Sequence, residues 1–224
     1  MVGFKEVGRE LGLDHAYLPM GANFGDLDHD GYLDIYLGTG DPGFETLTPN
    51  VMLRNDSGKR FQDVTTSGGF GHLQKGHGIS FADIDNDGDQ DIYHQLGGHY
   101  PGDKYSNAFF QNPGHDNRFL YLKLVGTKSN RAAFGARIKL VLETPDGVRK
   151  IHRAVGAVSS FGGSALRQEI GLGKAQRILK LEVWWPTSGR RQAFVDIPLD
   201  RLIQITETED EFQLLPLAPI RLGR

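Results

Sequence analysis

The chain has 224 residues, about a quarter of them charged, a formal net charge of −3 and no cysteine. This is the composition of a soluble globular chain of one or two domains, and it excludes disulfides and thiolate metal sites. No apolar run approaches the length of a membrane span, and no basic stripe marks a nucleic-acid surface. The opening Met1-Val-Gly-Phe-Lys-Glu-Val shows neither the basic nor the apolar region of a signal peptide.

From the start of the chain, short strands are expected at 4–7, 20–26, 33–38 and 51–55, each rich in branched or aromatic residues and bounded by Gly, Pro, Asn or Asp. Between the second and third lies Asp26-Leu-Asp28-His-Asp30-Gly31-Tyr32-Leu-Asp34, followed by Ile35-Tyr36. The same acidic loop returns as Asp83-Ile-Asp85-Asn-Asp87-Gly88-Asp89-Gln-Asp91, followed by Ile92-Tyr93. The two copies are 57 positions apart, and the offset also matches Phe4 with Phe61, Gly21 with Gly78, Asn50 with Asn107 and Asn55 with Asn112. A repeat of that length with four short strands predicts a propeller-type blade.

Carboxylates at loop positions 1, 3, 5 and 9, with Gly at position 6, suit a hard cation bound by oxygen. Without one, the clustered acids repel. The expected cofactor is Ca2+ at two sites, with magnesium as the rival ion. The first site comprises Asp26, Asp28, Asp30 and Asp34 with the Tyr32 carbonyl. The second comprises Asp83, Asp85, Asp87 and Asp91 with the Asp89 carbonyl, the Asp89 side chain facing solvent. Position 12 is Leu37 or His94 rather than the bidentate Glu of an EF-hand, and the flanks alternate like strands.

After residue 115 the Asp-Gly loops stop. Strands are expected at 118–125, 137–143, 150–158, 179–185, 191–195 and 202–206, separated by turns such as Pro145-Asp-Gly147 and Pro186-Thr-Ser-Gly189. A β-sandwich or barrel-like domain is the natural reading. The expected organisation is two calcium-loop repeats over 1–115, a β domain over 116–208 and a tail over 209–224. The fold class is all-β, with two blades of a partial propeller followed by the sandwich. Open blade edges invite homo-oligomerisation.

Catalytic candidates are sparse. Ser159, Ser160 and Ser164 flank Phe161-Gly-Gly163 but lack a Gly-x-Ser-x-Gly elbow. His77, His94 and His99 lie close in sequence without zincin spacing. Trp184 and Trp185 are adjacent on a strand and face opposite sides. Either both are buried, or the outer ring is free to stack on a sugar or dock a partner.

Two motif sets carry a family resemblance. Asn23-Phe-Gly-Asp26 through Tyr36, and Ser80-Phe-Ala-Asp83 through Tyr93, resemble FG-GAP/VCBS repeats, the calcium-loop blades of integrin-type propellers. The later half resembles the ASPIC/UnbV domain in Asn117-Arg-Phe-Leu, Leu124-Val-Gly126-Thr-Lys-Ser129-Asn130, Phe134-Gly-Ala-Arg137, Gly163-Ser164, Ile170-Gly171-Leu-Gly173 and Val183-Trp-Trp-Pro186-Thr-Ser-Gly189. It departs from that pattern at Glu169-Ile170, where an aromatic normally precedes Gly-Leu-Gly, and at Ala132-Ala-Phe134. The order of the two modules resembles the cartilage-acidic-protein-like family. The resemblance implies a non-catalytic, extracytoplasmic adhesion or recognition module with a protein or glycan ligand, structural calcium, and no partner in nucleic acid. It also implies a longer parent propeller. The alternative is an enzyme or accessory protein in secondary-metabolite biosynthesis.

Overall fold

The computed structural model describes all residues except 1–2, 42, 44–46, 103, 157–160 and 224. Among the described residues the protein is all-β and propeller-like, with fifteen strands in four blade-sized sheets of three or four strands. Among these residues no helix is long and apolar enough to cross a membrane.

Sheet 1 is a meander of β1 (Pro19–Gly25), β2 (Asp34–Thr39), β3 (Val51–Asp56) and β4 (Arg60–Asp63). Sheet 2 holds β5 (Gly76–Ala82), β6 (Asp91–Leu96) and β7 (Ala108–Phe110). These two sheets share a core of Tyr36, Met52, Ile79, Phe81 and Ile92. Their inner strands, β1 and β5, touch backbone to backbone: a Cβ at Gly21 would lie 1.7 Å from the His77 carbonyl oxygen.

The second half forms sheet 3 and sheet 4. Sheet 3 has the order β11 (Gln168–Gly173), β8 (Arg118–Val125), β14 (Arg201–Thr206), β15 (Phe212–Leu215), with β14 parallel to β8. Sheet 4 is β10 (Gly147–Ala154), β9 (Arg137–Thr144), β12 (Arg177–Trp184) and β13 (Arg191–Phe194). Both contribute to one core, with Leu120, Leu122, Ile203 and Ile205 from sheet 3 and Ile138, Leu140, Leu181 and Val183 from sheet 4. As an inner strand of sheet 3, β8 is buried on both faces. Its even-numbered leucines enter this core while Tyr121, fully buried, faces the other way.

The expectation of two four-stranded blades plus a sandwich is not matched in detail. Residues 4–7 form no strand, and Phe4 is fully exposed. The equivalent stretch of the second repeat, around Phe61, is β4, which pairs with β3 and completes sheet 1 instead of opening sheet 2. One repeat further on, the same place falls on β8. That strand pairs with β11 and β14, so sheet 2 is left with three strands. Strands β11 and β15 were not expected from the sequence. The first reads as a glycine motif and the second as tail.

Candidate metal centre and inter-module contact

The 57-residue register persists in the hydrogen bonds. Asp34 Oδ2 accepts from the Leu27 N–H and Oδ1 from the Asn55 N–H, at 2.9 and 2.8 Å. Asp91 repeats this with Ile84 and Asn112, at 3.1 and 2.9 Å. The position-9 carboxylate thus ties the first loop to β3 and the second to the segment just past β7. Asp26 accepts from the Gly31 N–H and Asp83 from the Gly88 N–H. Gly31 and Gly88 have φ of 88° and 106°, and the position-4 residues His29 and Asn86 are also left-handed at 50° and 56°. Those values explain Gly at position 6.

Carboxylate oxygens of Asp26, Asp28 and Asp30 lie within 4.8 Å of one another in the first loop. In the second, those of Asp83, Asp85 and Asp91 do so. Asp34, Asp87 and Asp89 stand outside these groups, with Asp87 Oδ1 accepting from the Asp89 N–H. Asp89 contradicts its solvent-facing expectation. It is 5% exposed, because the chain folds over it between Gly114 and the loop. Its Oδ1 and that of Asp85 are buried without a hydrogen-bond partner.

Burial dominates the electrostatics. Desolvation raises Asp26 well above the usual carboxylate range despite Arg153, with Asp30 and Asp34 adding to the rise. Desolvation pushes Asp34 up to about 7 against the two backbone N–H groups it accepts. Asp89 also reaches about 7, through desolvation first and then Asp87, Asp91, Asp83 and Asp85. Such a group of acids favours a bound cation over open ionisation. The unpartnered oxygens of Asp85 and Asp89 fit one in the second loop. No buried carboxylate oxygen of the first loop is without a partner.

The second module reaches into both loops. Arg153 Nη2 on β10 lies 3.5 Å from Asp26 Oδ2 and donates to the Gly31 carbonyl at 3.2 Å. Arg149 donates to the Asp30 carbonyl at 2.5 Å, and its guanidinium stacks 4.1 Å from the Tyr32 ring centroid. On the second loop, Arg167 donates to the Asp83 carbonyl and to Asn86 Oδ1, both at 2.8 Å. Glu169 Oε2 accepts from the Asp83 N–H and from Gln90 Nε2, both at 3.0 Å. Gln90 Oε1 in turn accepts from the Asp26 N–H at 2.8 Å, so a buried polar relay joins both loops to sheet 3. Sequence reasoning missed these residues. The one signal was the departure noted at Glu169-Ile170 from the pattern that the second module resembles.

Backbone proximity seals the contact. A Cβ at Gly171 would lie 2.4 Å from Asp26 Oδ2 and from His29 Cα. The Gly173 N–H donates to the His29 carbonyl at 2.8 Å. His29 is fully buried with both ring nitrogens unpartnered, edge-on to His115 at 4.8 Å.

The remaining candidates disperse. Ser164 Oγ accepts from Asn23 Nδ2 at 3.2 Å at the rim of an inter-module cleft of about 440 Å³, while Ser159 and Ser160 lie outside the described residues. His94 is fully buried against the Tyr36 ring and His99 packs on Tyr100. Among the described residues no potential metal-ligand group includes a histidine. Trp185 is buried and donates Nε1–H to Gln192, whereas Trp184 faces outward. No curated protein matches the chain. Residues 126–212, from the turn after β8 to the start of β15, match the family described as ASPIC and UnbV.

Proposed function

We propose that the chain is a non-catalytic calcium-binding recognition module of the extracytoplasmic space. Its two N-terminal repeats are of the FG-GAP/VCBS kind, and calcium is a structural element in them. The carrying observation is the pair of buried, unpartnered carboxylate oxygens on Asp85 and Asp89 within a five-acid loop. A cation there would be held by the grouped Asp83, Asp85 and Asp91, with the unpartnered Asp89 oxygen as a further candidate, and would neutralise charge that burial otherwise penalises. In the first loop Asp26, Asp28 and Asp30 are the ligand candidates, sharing the task of charge balance with Arg153.

A structural role is supported by the contacts that Arg149, Arg153, Arg167 and Glu169 of the second module make with both loops. Recognition of a protein or glycan then falls to the outer surfaces of the sheets. Binding to the native state alone raises stability by mass action. Saturating calcium is therefore expected to raise the melting temperature of chelator-treated protein, and magnesium at equal concentration to do so less. An unchanged melting temperature would sink the structural-calcium reading.

A further inference from the structure

The outer face of sheet 4 lies apart from the acidic loops. Along β10, Arg149, Ile151 and Arg153 turn toward the first loop and the core, so Lys150 and His152 turn away. On β9 and β12 the same alternation buries Ile138, Leu140, Leu181 and Val183 and leaves Arg137, Lys139, Lys180 and Trp184 outside. The antiparallel register sets Arg137, Trp184 and Arg191 in one row across β9, β12 and β13. The indole thus stands between two arginine-bearing strands, each roughly 5 Å away. The Arg137 guanidinium is 5.5 Å from its centroid. His152, Lys139 and Glu182 form the next row, and together these side chains line a shallow groove of about 500 Å³.

The charge of this face is opposite to that of the chain. Arg137, Lys139, Lys150, Arg177, Lys180 and Arg191 face outward against only Glu143 and Glu182, on a protein whose net charge is −3. Glu182 is bridged by Lys139 at 2.7 Å and Lys180 at 2.8 Å. Hydrogen bonds from these two lysines hold its carboxyl down to about 2, so it is an acceptor only. Among the described residues Lys150 and Arg191 make no ion pair.

A ligand matching these groups brings anionic groups for the arginines, a flat apolar ring face for the indole, and hydroxyl donors for Glu182. A carboxylated or sulfated polysaccharide has all three. A nucleic-acid backbone has the charge but no hydroxyl-rich face, and its phosphates would be set against Glu182. We propose that the Trp184 groove on the outer face of sheet 4 binds an anionic polysaccharide chain. This deepens the recognition reading and rests on it, but it does not depend on calcium in the loops.

Calorimetry at physiological salt with a heparin oligosaccharide, a neutral dextran of equal length and a duplex DNA of equal charge tests the groove. Heparin is expected to bind and dextran not. Trp184→Ala is expected to weaken heparin binding about tenfold, the scale of one lost aromatic stack, while Trp184→Phe keeps most of it. The pair Arg137→Ala and Arg191→Ala should weaken binding further and flatten its salt dependence, whereas Arg60→Ala on sheet 1 leaves both unchanged. Melting curves confirm that each variant is folded. No heparin binding, equally tight DNA binding, or a folded Trp184→Ala variant that binds like the parent would each overturn the groove. None of these outcomes bears on the calcium melting experiment, so the two readings fail separately.

Discussion

Arg153 of β10 and Asp26 of the first acidic loop come from opposite modules, and their side chains meet 3.5 Å apart with Asp26 almost wholly buried. Removing one partner of a buried pair leaves the other charge uncompensated, which typically costs several kcal/mol. Arg153→Ala is therefore expected to destabilise the metal-free protein by about 3 kcal/mol. Asp26→Asn combined with Arg153→Ala should cost less than the two single losses added. A double-mutant cycle by denaturant unfolding measures that coupling.

Asp89 gives the sharpest test of the second loop. Its carboxyl is raised to about 7, so ionisation opposes folding when no cation is bound. The stability tied to its proton is fully present below the unfolded value near 3.8 and is lost as pH rises through about 7. Metal-free Asp89→Asn is thus expected to melt above the parent at pH 8 and level with it at pH 4. With saturating calcium the order should reverse, and terbium luminescence should report roughly tenfold weaker binding. An Asp89→Asn variant with unchanged affinity would show that its buried oxygen does not face the ion.

Gly171 permits a close approach between the modules, with no room for a Cβ against Asp26 and His29. Overpacking of this kind costs about 2 kcal/mol, so Gly171→Ala should lower stability by that amount and raise hydrogen exchange at Gly173. Gly156→Ala, where a Cβ meets open space, is the control and should change stability by less than about 0.5 kcal/mol.

His94 is buried beside Tyr36 and held neutral, its pKa lowered to about 4 by desolvation first and then by His72 and His77. The unfolded chain takes up the proton near 6.5, so stability is full above that pH and falls as pH drops toward 4. The loss over that window is about 3 kcal/mol. His94→Met should keep the packing and remove this share of the acid limb. Equal acid slopes for the two proteins in urea unfolding would count against it.

Glu207 is buried near the start of the turn that follows β14 and gathers the 126–130 turn around itself. It accepts from the Thr127, Lys128 and Ser129 N–H groups and from the Ser129 and Ser188 hydroxyls. Although burial raises its pKa, these bonds outweigh that and hold the carboxyl far below the usual glutamate range. The stabilisation is present above the ordinary value of 4.5 and fades only as pH falls below it. Glu207→Ala is expected to cost about 3 kcal/mol at neutral pH, and the gap to the parent should narrow in acid.

Much of this was legible in the sequence because period and turn chemistry are local. The doubled Asp-x-Asp-x-Asp-Gly pattern marks the loops, and Asn55 and Asn112 mark the segments their last carboxylates bind. Strand pairing is not local, and there the reading failed. Nothing in residues 4–7 shows that their strand has no sheet to join, or that β8 takes its partners from β11 and β14. The arginines were equally hidden. Arg149 and Arg153 sit on an alternating strand that reads as any half-buried edge until the loop opposite is known.

The diversion of β8 has a consequence for how the chain can be divided. Cutting after residue 115 follows the boundary that the repeats suggest, yet it strips Arg149 and Arg153 from the first acidic loop and Arg167 from the second. Strand β11, whose Gly171 packs against Asp26 and His29, also departs with the other fragment. The N-terminal piece would carry clustered carboxylates without the cations that face them, which opposes its folding alone. The two modules are then a single cooperative unit, and amides in the first acidic loop should exchange with solvent only when sheet 3 opens with them.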